Sequence, residues 1–167
     1  MGFVLDHAPI INVYPRETDT TAYAIDILQK MADMIDRWTD YKPLRDLAFS
    51  LKGQTDRETM ENIFWYCKDA IPYENDPNGV ELLQAPIYTL LLGNPGDCDD
   101  MCIAAGTLLK ILGYGVIIRA IDWRPGVNKY THVYDVATLG AKQIAIDITL
   151  PDVGVQRIYK RNIDLGV

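Results

Sequence analysis

Gly96-Asp97-Cys98-Asp99-Asp100, followed directly by an apolar run from Met101 to Leu112, is the stretch on which the reading of this chain turns. Asp97 is a favourable helix N-cap, and Asp100 stands three residues later, the spacing of a capping box, so a helix is predicted to start here. Met101, Ala105, Leu108 and Leu112 fall on one face, with Cys102 and Leu109 beside them, and Gly113-Tyr114-Gly115 supplies the stop. A helix this apolar belongs at the centre of a domain. Ala104, Ala105 and Gly106 are small enough for a sheet to lie close against it. Cys98 then sits in the first turn, where unpaired backbone N–H groups and the macrodipole favour a thiolate. That is a position for a nucleophile.

A nucleophilic cysteine needs a base, and the chain has 2 histidines, His7 and His132. His132 lies in Tyr130-Thr131-His132-Val133-Tyr134-Asp135-Val136, an alternating run that predicts a strand. After a turn at Gly140, Gln143-Ile144-Ala145-Ile146-Asp147-Ile148-Thr149 predicts a second strand carrying one acid. A carboxylate there is costly to bury without a partner. Adjacent antiparallel strands would bring Asp147 beside His132, to hold one ring nitrogen while the other faces Cys98. Nucleophile, base and orienting carboxylate then follow in the order Cys, His, Asp.

Together, Gly96-Asp97-Cys98-Asp99-Asp100, the helix ending at Gly113, Thr131-His132-Val133-Tyr134 and Ile146-Asp147-Ile148-Thr149 resemble the transglutaminase-like superfamily. Ile71-Pro72-Tyr73, Asp76-Pro77, Leu83-Gln84-Ala85-Pro86 and Thr89-Leu90 are similar to its upstream region. The chain most resembles the small single-domain members of tailed-bacteriophage genomes, over about residues 60–150. This resemblance implies an α+β, papain-like fold with Cys98, His132 and Asp147 in the triad positions. It leaves the reaction open, because the superfamily holds transferases, proteases, deglycosylating amidases and members without activity. It also allows other phage structural proteins as partners, and a virion-associated location. Many members carry Trp two residues after the triad His position, where this chain has Tyr134; either aromatic packs on a strand.

At 167 residues and 49% hydrophobic content the chain fits one domain with a substantial core. A net charge of −7 and no basic run argue against nucleic acid and fit a cationic substrate or partner better; a peptide or protein substrate is expected. The 3 cysteines form no disulfide framework and match no zinc spacing, so a reduced, cytoplasmic protein without metal or cofactor is expected. Met1-Gly2-Phe3-Val4-Leu5-Asp6 shows neither a charged leader nor a myristoylation signal, and no apolar run is long enough for a bilayer.

Residues 1–19, interrupted by Pro9 and Pro15, predict an extended arm or edge strand, with His7 in a structural role. A helical part is expected over residues 20–71. Its first helix carries the stripe Ala24, Ile27, Leu28, Met31, Ile35 and Trp38, and a short one follows Pro43. A third starts at the Thr55–Glu58 capping box, with Met60, Ile63, Phe64, Cys67 and Ile71 inward. The catalytic core is expected over residues 72–160. Residues 73–95 read as a loop lining the cleft, in which Gln84 could offer a side-chain oxyanion donor or only bond the loop backbone. The backbone N–H of Cys98 is a second oxyanion donor. Strands are expected from Val116 to Asp122 and from Gln156 to Lys160. Trp123 and Arg124, on the loop between the first two strands, read as exposed groups that contact substrate or as a hairpin end.

One feature opposes a reactive thiol. Asp97, Asp99 and Asp100 surround Cys98 with negative charge, which raises a thiol pKa. At an effective dielectric of about 20, a unit charge 4 Å away is worth about 4 kcal/mol. Capping accounts for two of the three; a hard-cation site is the other reading of the cluster.

Overall fold

The computed structural model describes residues 11–15, 21–126 and 129–167. His7 lies outside these residues, as do Val127 and Asn128 of the loop after Trp123. The helices come first. α1 (Thr21–Trp38) buries Ile27, Leu28, Met31, Ala32, Met34, Ile35 and Trp38, the predicted stripe broadened by Ala32 and Met34 but without Ala24, which is half-buried. α2 (Lys42–Ser50) starts at Pro43 in its first turn. In α3 (Asp56–Ala70) the Thr55 hydroxyl accepts the Glu58 N–H at 3.1 Å. Glu58 reaches back to the Gln54 N–H at 2.7 Å, one residue before the expected partner.

The central helix, α5 (Cys98–Ile111), is buried almost all round, with every residue from Asp99 to Leu109 buried. Burial on all sides explains why its apolar residues spread beyond one stripe. It ends at Gly113, whose φ of +87° continues the chain in the left-handed region that the helix stop requires. The Tyr114 N–H closes the turn on the Leu109 carbonyl at 3.1 Å.

Four strands form an antiparallel sheet against α5: β3 (Gly115–Asp122), β4 (His132–Leu139), β5 (Lys142–Ile146) and β6 (Arg161–Gly166), in the order β5-β4-β3-β6. Val116, Ile118, Ala120, Val133, Ala137 and Ile146 join the main core, while Ile121, Tyr134, Val136 and Ala145 form a smaller cluster. The period-two alternation of the strands therefore serves two apolar clusters. This arrangement is α+β.

Three boundaries differ from the sequence reading. The last strand is Arg161–Gly166, pairing β3 from Ile117↔Gly166 to Asp122↔Arg161, and residues 156–160 form no strand. The β5 strand ends at Ile146, so Asp147 begins the turn that follows it. The approach segment is not a plain loop. It contains β2 (Val80–Gln84) and α4 (Pro86–Leu90), and β2 pairs antiparallel with β1 (Ile11–Pro15), placing Ile11 opposite Gln84. An edge strand in the arm was expected; its partner was not legible, because that pairing spans about 70 residues of sequence.

Candidate active site

Cys98 opens α5, with Asp97 as N-cap accepting the Asp99 N–H at 3.1 Å. Asp100 turns the other way. Its carboxylate accepts the Gln84 N–H at 2.8 Å and the Gln84 side-chain amide at 2.7 Å, and it also bonds the Asp97 N–H. Gly96 makes this possible, since a Cβ there would lie 2.6 Å from both Asp100 Cβ and Oδ2. The same glycine clamps the neighbouring segment. Its N–H donates to the Pro72 carbonyl and its carbonyl accepts the Glu74 N–H, each at 3.0 Å, which holds Tyr73 beside the start of α5.

His132 is the first residue of β4, paired across to Ile121 of β3. Extending the β4–β5 register by one residue puts Asp147 opposite Tyr134, diagonal to His132 on the same face. His132 Nε2 lies 2.7 Å from Asp147 Oδ2. The Tyr134 ring stacks near the imidazole at 6.0 Å between centroids. Asp147 Oδ1 accepts the Thr149 N–H at 3.1 Å and the Thr149 hydroxyl at 2.6 Å, an Asx-type turn. Burial pushes the Asp147 carboxyl up, but the bonds from His132 and Thr149 and the charge of Arg157 outweigh it, so its pKa lies below the usual range. Lys68 of α3 pins the same turn by donating to the carbonyls of Ile148 (2.8 Å) and Leu150 (2.6 Å).

Cys98 and His132 both line two cavities. One, of about 630 Å³, runs along α1 and includes Tyr23, Glu81, Asp97, Asp99 and Tyr130. The other, of about 500 Å³, lies toward α3 and includes Lys68, Trp123, Thr149 and Arg157. Tyr73, Arg124 and Thr131 border both. The two openings differ in charge, acidic on the first side and basic on the second.

The thiol environment follows from these neighbours. Burial, then the Asp99 and Asp97 carboxyls, push the Cys98 thiol well above its ordinary pKa, against the Val133 N–H, which pulls it down. The thiol donates toward Asp99 Oδ1 at 3.5 Å. Asp99 is itself pushed far up, by burial and by a hydrogen bond with the Glu81 carboxyl. Burial and the surrounding carboxyls raise Asp97 to about 7. Asp97, Cys98 and Asp99 place ligand-type atoms within 4.8 Å of one another. The carboxylates already serve the helix cap and the bond with Glu81, so the geometry accounts for them without an ion.

The remaining predicted groups fare differently. Gln84 spends its amide on the Pro95 carbonyl (2.8 Å) and Asp100 (2.7 Å), and it is not among the described residues lining either cavity. Its amide is therefore committed to the loop and the helix start, and is not free to serve as an oxyanion donor. Trp123, expected to be exposed, is half-buried on the smaller apolar cluster, with the Arg157 guanidinium 4.7 Å and that of Arg124 5.7 Å from its ring centroid. Cys67 and Cys102 are buried core residues, as read. Sequence reasoning missed Glu81, Thr149 and Arg157. Thr149 had a signal, its place two residues after an Asp that begins a turn; Arg157 had none.

No family model matches this chain, and no curated protein matches it. Among solved structures it is similar to a candidate cysteine protease from Cytophaga hutchinsonii, at 14% identity and a TM-score of 0.53. The match covers 94% of this chain and 62% of that one, so this chain spans less than two thirds of that protein's length. The α+β arrangement, a helix headed by Cys98 against a small antiparallel sheet, is the papain-like class that this likeness supports. Among the described residues no helix is long and apolar enough to cross a membrane.

Proposed function

We propose that the chain is a cysteine-dependent acyl-transfer enzyme that hydrolyses peptide, isopeptide or related amide bonds through a thioester, with Cys98, His132 and Asp147 as its triad. The observation that carries this reading is the 2.7 Å bond from His132 Nε2 to Asp147, with His132 and Cys98 lining the same two cavities. With Nε2 held by Asp147, Nδ1 is the ring nitrogen left to take the thiol proton. Cys98 sulfur then attacks the amide carbonyl, the C–N bond breaks, and the amine leaves with that proton. Water, deprotonated by the same nitrogen, resolves the thioester. The backbone N–H of Cys98, at the start of α5, is the oxyanion donor of this scheme. Because the thiol is pushed up, Cys98 rests as a thiol, and its proton moves as the substrate is attacked. Trp123 and Arg124 border the cleft where a peptide would lie.

Two modest walls leave a thioester open to bulk water, at roughly 55 M, so hydrolysis outcompetes transfer unless an acceptor is bound. The test uses a small activated ester. Turnover that releases free acid, disappears in Cys98→Ala and changes little with millimolar amine supports this reading. A dominant amide product makes the protein a transferase.

The carboxyl crowding that raises the Cys98 thiol favours a second reading. In it the chain is an inactive member of the resembled superfamily, an interaction module of the phage structural type. No turnover with any donor, together with unreactive Cys98, selects that one.

A further inference from the structure

Arg157 lies on the irregular segment between β5 and β6, far in sequence from both Cys98 and His132, yet it closes a chain of contacts that begins at the imidazole. Its terminal nitrogen donates to Thr149 Oγ1 at 2.7 Å, and that hydroxyl donates to Asp147 Oδ1 at 2.6 Å. Arg157 Nε, buried without a hydrogen-bond acceptor, stands 3.9 Å from Asp147 Oδ2, the oxygen that holds His132. The other face of the guanidinium lies on Trp123, 4.7 Å from its ring centroid. The side chain is thus fixed by a hydroxyl, a carboxylate and an aromatic face, and Arg157, Thr149 and Trp123 all line the cavity of about 500 Å³.

Resting on the triad reading above, we propose that Arg157 is a positioning residue for the reaction: through Thr149 it fixes the Asp147 carboxylate, and through Asp147 the tautomer of His132 that keeps the lone pair on Nδ1. The hydroxyl of Thr149 has one proton and two lone pairs. With Arg157 occupying a lone pair, that proton is directed at Asp147 Oδ1. The Thr149 N–H takes the same oxygen, at 3.1 Å, which leaves Oδ2 for the ring. Oδ2 then receives the Nε2 proton, so the neutral imidazole carries its lone pair on Nδ1. Trp123 covers the guanidinium, and in so doing shields a charged contact from water. On this view Trp123 acts on Asp147 as well as bordering the cleft. Without Arg157, the Thr149 hydroxyl is free to rotate, Asp147 loses the guanidinium charge 3.9 Å away, and the imidazole loses its bias between tautomers.

The experiment compares the full chain with Arg157→Ala, Arg157→Lys and Thr149→Val. Two readouts are taken: the imidazole 15N shifts of His132, resolvable with 2 histidines in the chain, and the rate of Cys98 alkylation by iodoacetamide. The wild type is expected to show the Nε2–H tautomer. Arg157→Ala and Thr149→Val are expected to shift the 15N pattern toward a mixture and to slow alkylation about three- to tenfold, the factor that one ordinary hydrogen bond supplies. Arg157→Lys, which keeps the charge but not the fork, should recover part of both. Folded variants with an unchanged 15N pattern overturn the proposal, whether or not labelling slows. If Arg157→Ala fails to fold, Arg157→Lys and Thr149→Val decide by the same criterion. A shifted 15N pattern in a protein whose Cys98 never reacts leaves the positioning role standing and removes the catalytic reading instead.

Discussion

Gln84 and Asp100, sixteen residues apart, are joined twice: the Asp100 carboxylate accepts both the backbone N–H of Gln84, at 2.8 Å, and its side-chain amide, at 2.7 Å. Asp100 is 1% exposed, so these bonds compensate a carboxyl that water does not reach. Asp100→Ala leaves several donors unsatisfied in the interior and is expected to lower stability by about 2–4 kcal/mol. Gln84→Ala, which keeps the backbone bond, should lose about half of that. Urea unfolding of the two variants checks the order; a Gln84→Ala loss equal to or larger than that of Asp100→Ala contradicts it.

Gly96 is the residue that lets this carboxylate approach. A Cβ at Gly96 would meet Asp100 atoms at 2.6 Å, and the backbone on either side is tied to Pro72 and Glu74. Gly96→Ala must push Asp100 off Gln84 or break the Tyr73 clamp. The expected loss is about 1–3 kcal/mol, as for overpacking in a core. Thermal melts of Gly96→Ala and of the double variant Gly96→Ala/Asp100→Ala test the mechanism. The double variant should lose markedly less than the sum, because the two share one cause.

The acids around Cys98 give the protein a pH dependence of unusual sign. Burial, with the charge of neighbouring carboxyls, raises Asp97 to about 7 and Asp100 to about 6. In the unfolded chain both titrate near pH 4. Between about pH 4 and 7 the folded state therefore binds more protons, and stability falls as pH rises through that window. The drop should be on the order of 2–4 kcal/mol, with the urea midpoint higher at pH 5 than at pH 8. Asp97→Asn should flatten much of the slope. Asp147 and Asp164 lie below the usual range, so their contribution is lost only on further acidification. A midpoint that climbs from pH 5 to pH 8 would contradict this account.

Of the three thiols, Cys98 alone is partly accessible, while Cys67 and Cys102 are buried. Iodoacetamide should modify Cys98 first in the folded protein. Since the thiol is pushed up, the rate should climb steadily through the alkaline range with no plateau near neutrality. Asp147→Asn is expected to slow it about tenfold, about 1.4 kcal/mol of lost orientation at the imidazole. Mass spectrometry of the modified peptides reads the order directly; equal labelling of all three cysteines would remove Cys98 from its assigned place.

Local physics made the central parts of this fold legible. Asp97 as cap, the apolar length of α5 and the glycine that stops it are all properties of neighbouring residues. The alternation around His132 marked β4, and a single acid among apolar residues marked Asp147. What stayed hidden is of another kind. Asp135, in an alternating run, is fully buried against Cys102 at 3.1 Å and is pushed far up by burial, and a sequence pattern cannot tell that acid from a surface one. Gln84 had the right chemistry for an oxyanion, but Asp100 and Pro95 claim its amide first. The Arg157 contact with Trp123 and the β1–β2 pairing cross long sequence separations, where no local preference speaks.

Asp147 directly follows β5, a five-residue strand at the margin of the sheet that pairs with β4 on one side and is held on the other by the Gly154 N–H on the Ala145 carbonyl, at 2.9 Å. Marginal strands open at lower free energy than interior ones, through excursions that leave the rest of the molecule folded. Fraying of β5 would carry the carboxylate away from His132 while α5 and the paired β3 and β4 keep Cys98 in place. Warming should therefore silence the imidazole–carboxylate couple some degrees before the protein melts. Amide exchange at Ile144 and Ala145, faster than at Ile118 or Val136, would report the same event. The durability of the site is then set by its least secured strand, and the melting temperature overstates the range in which it can work.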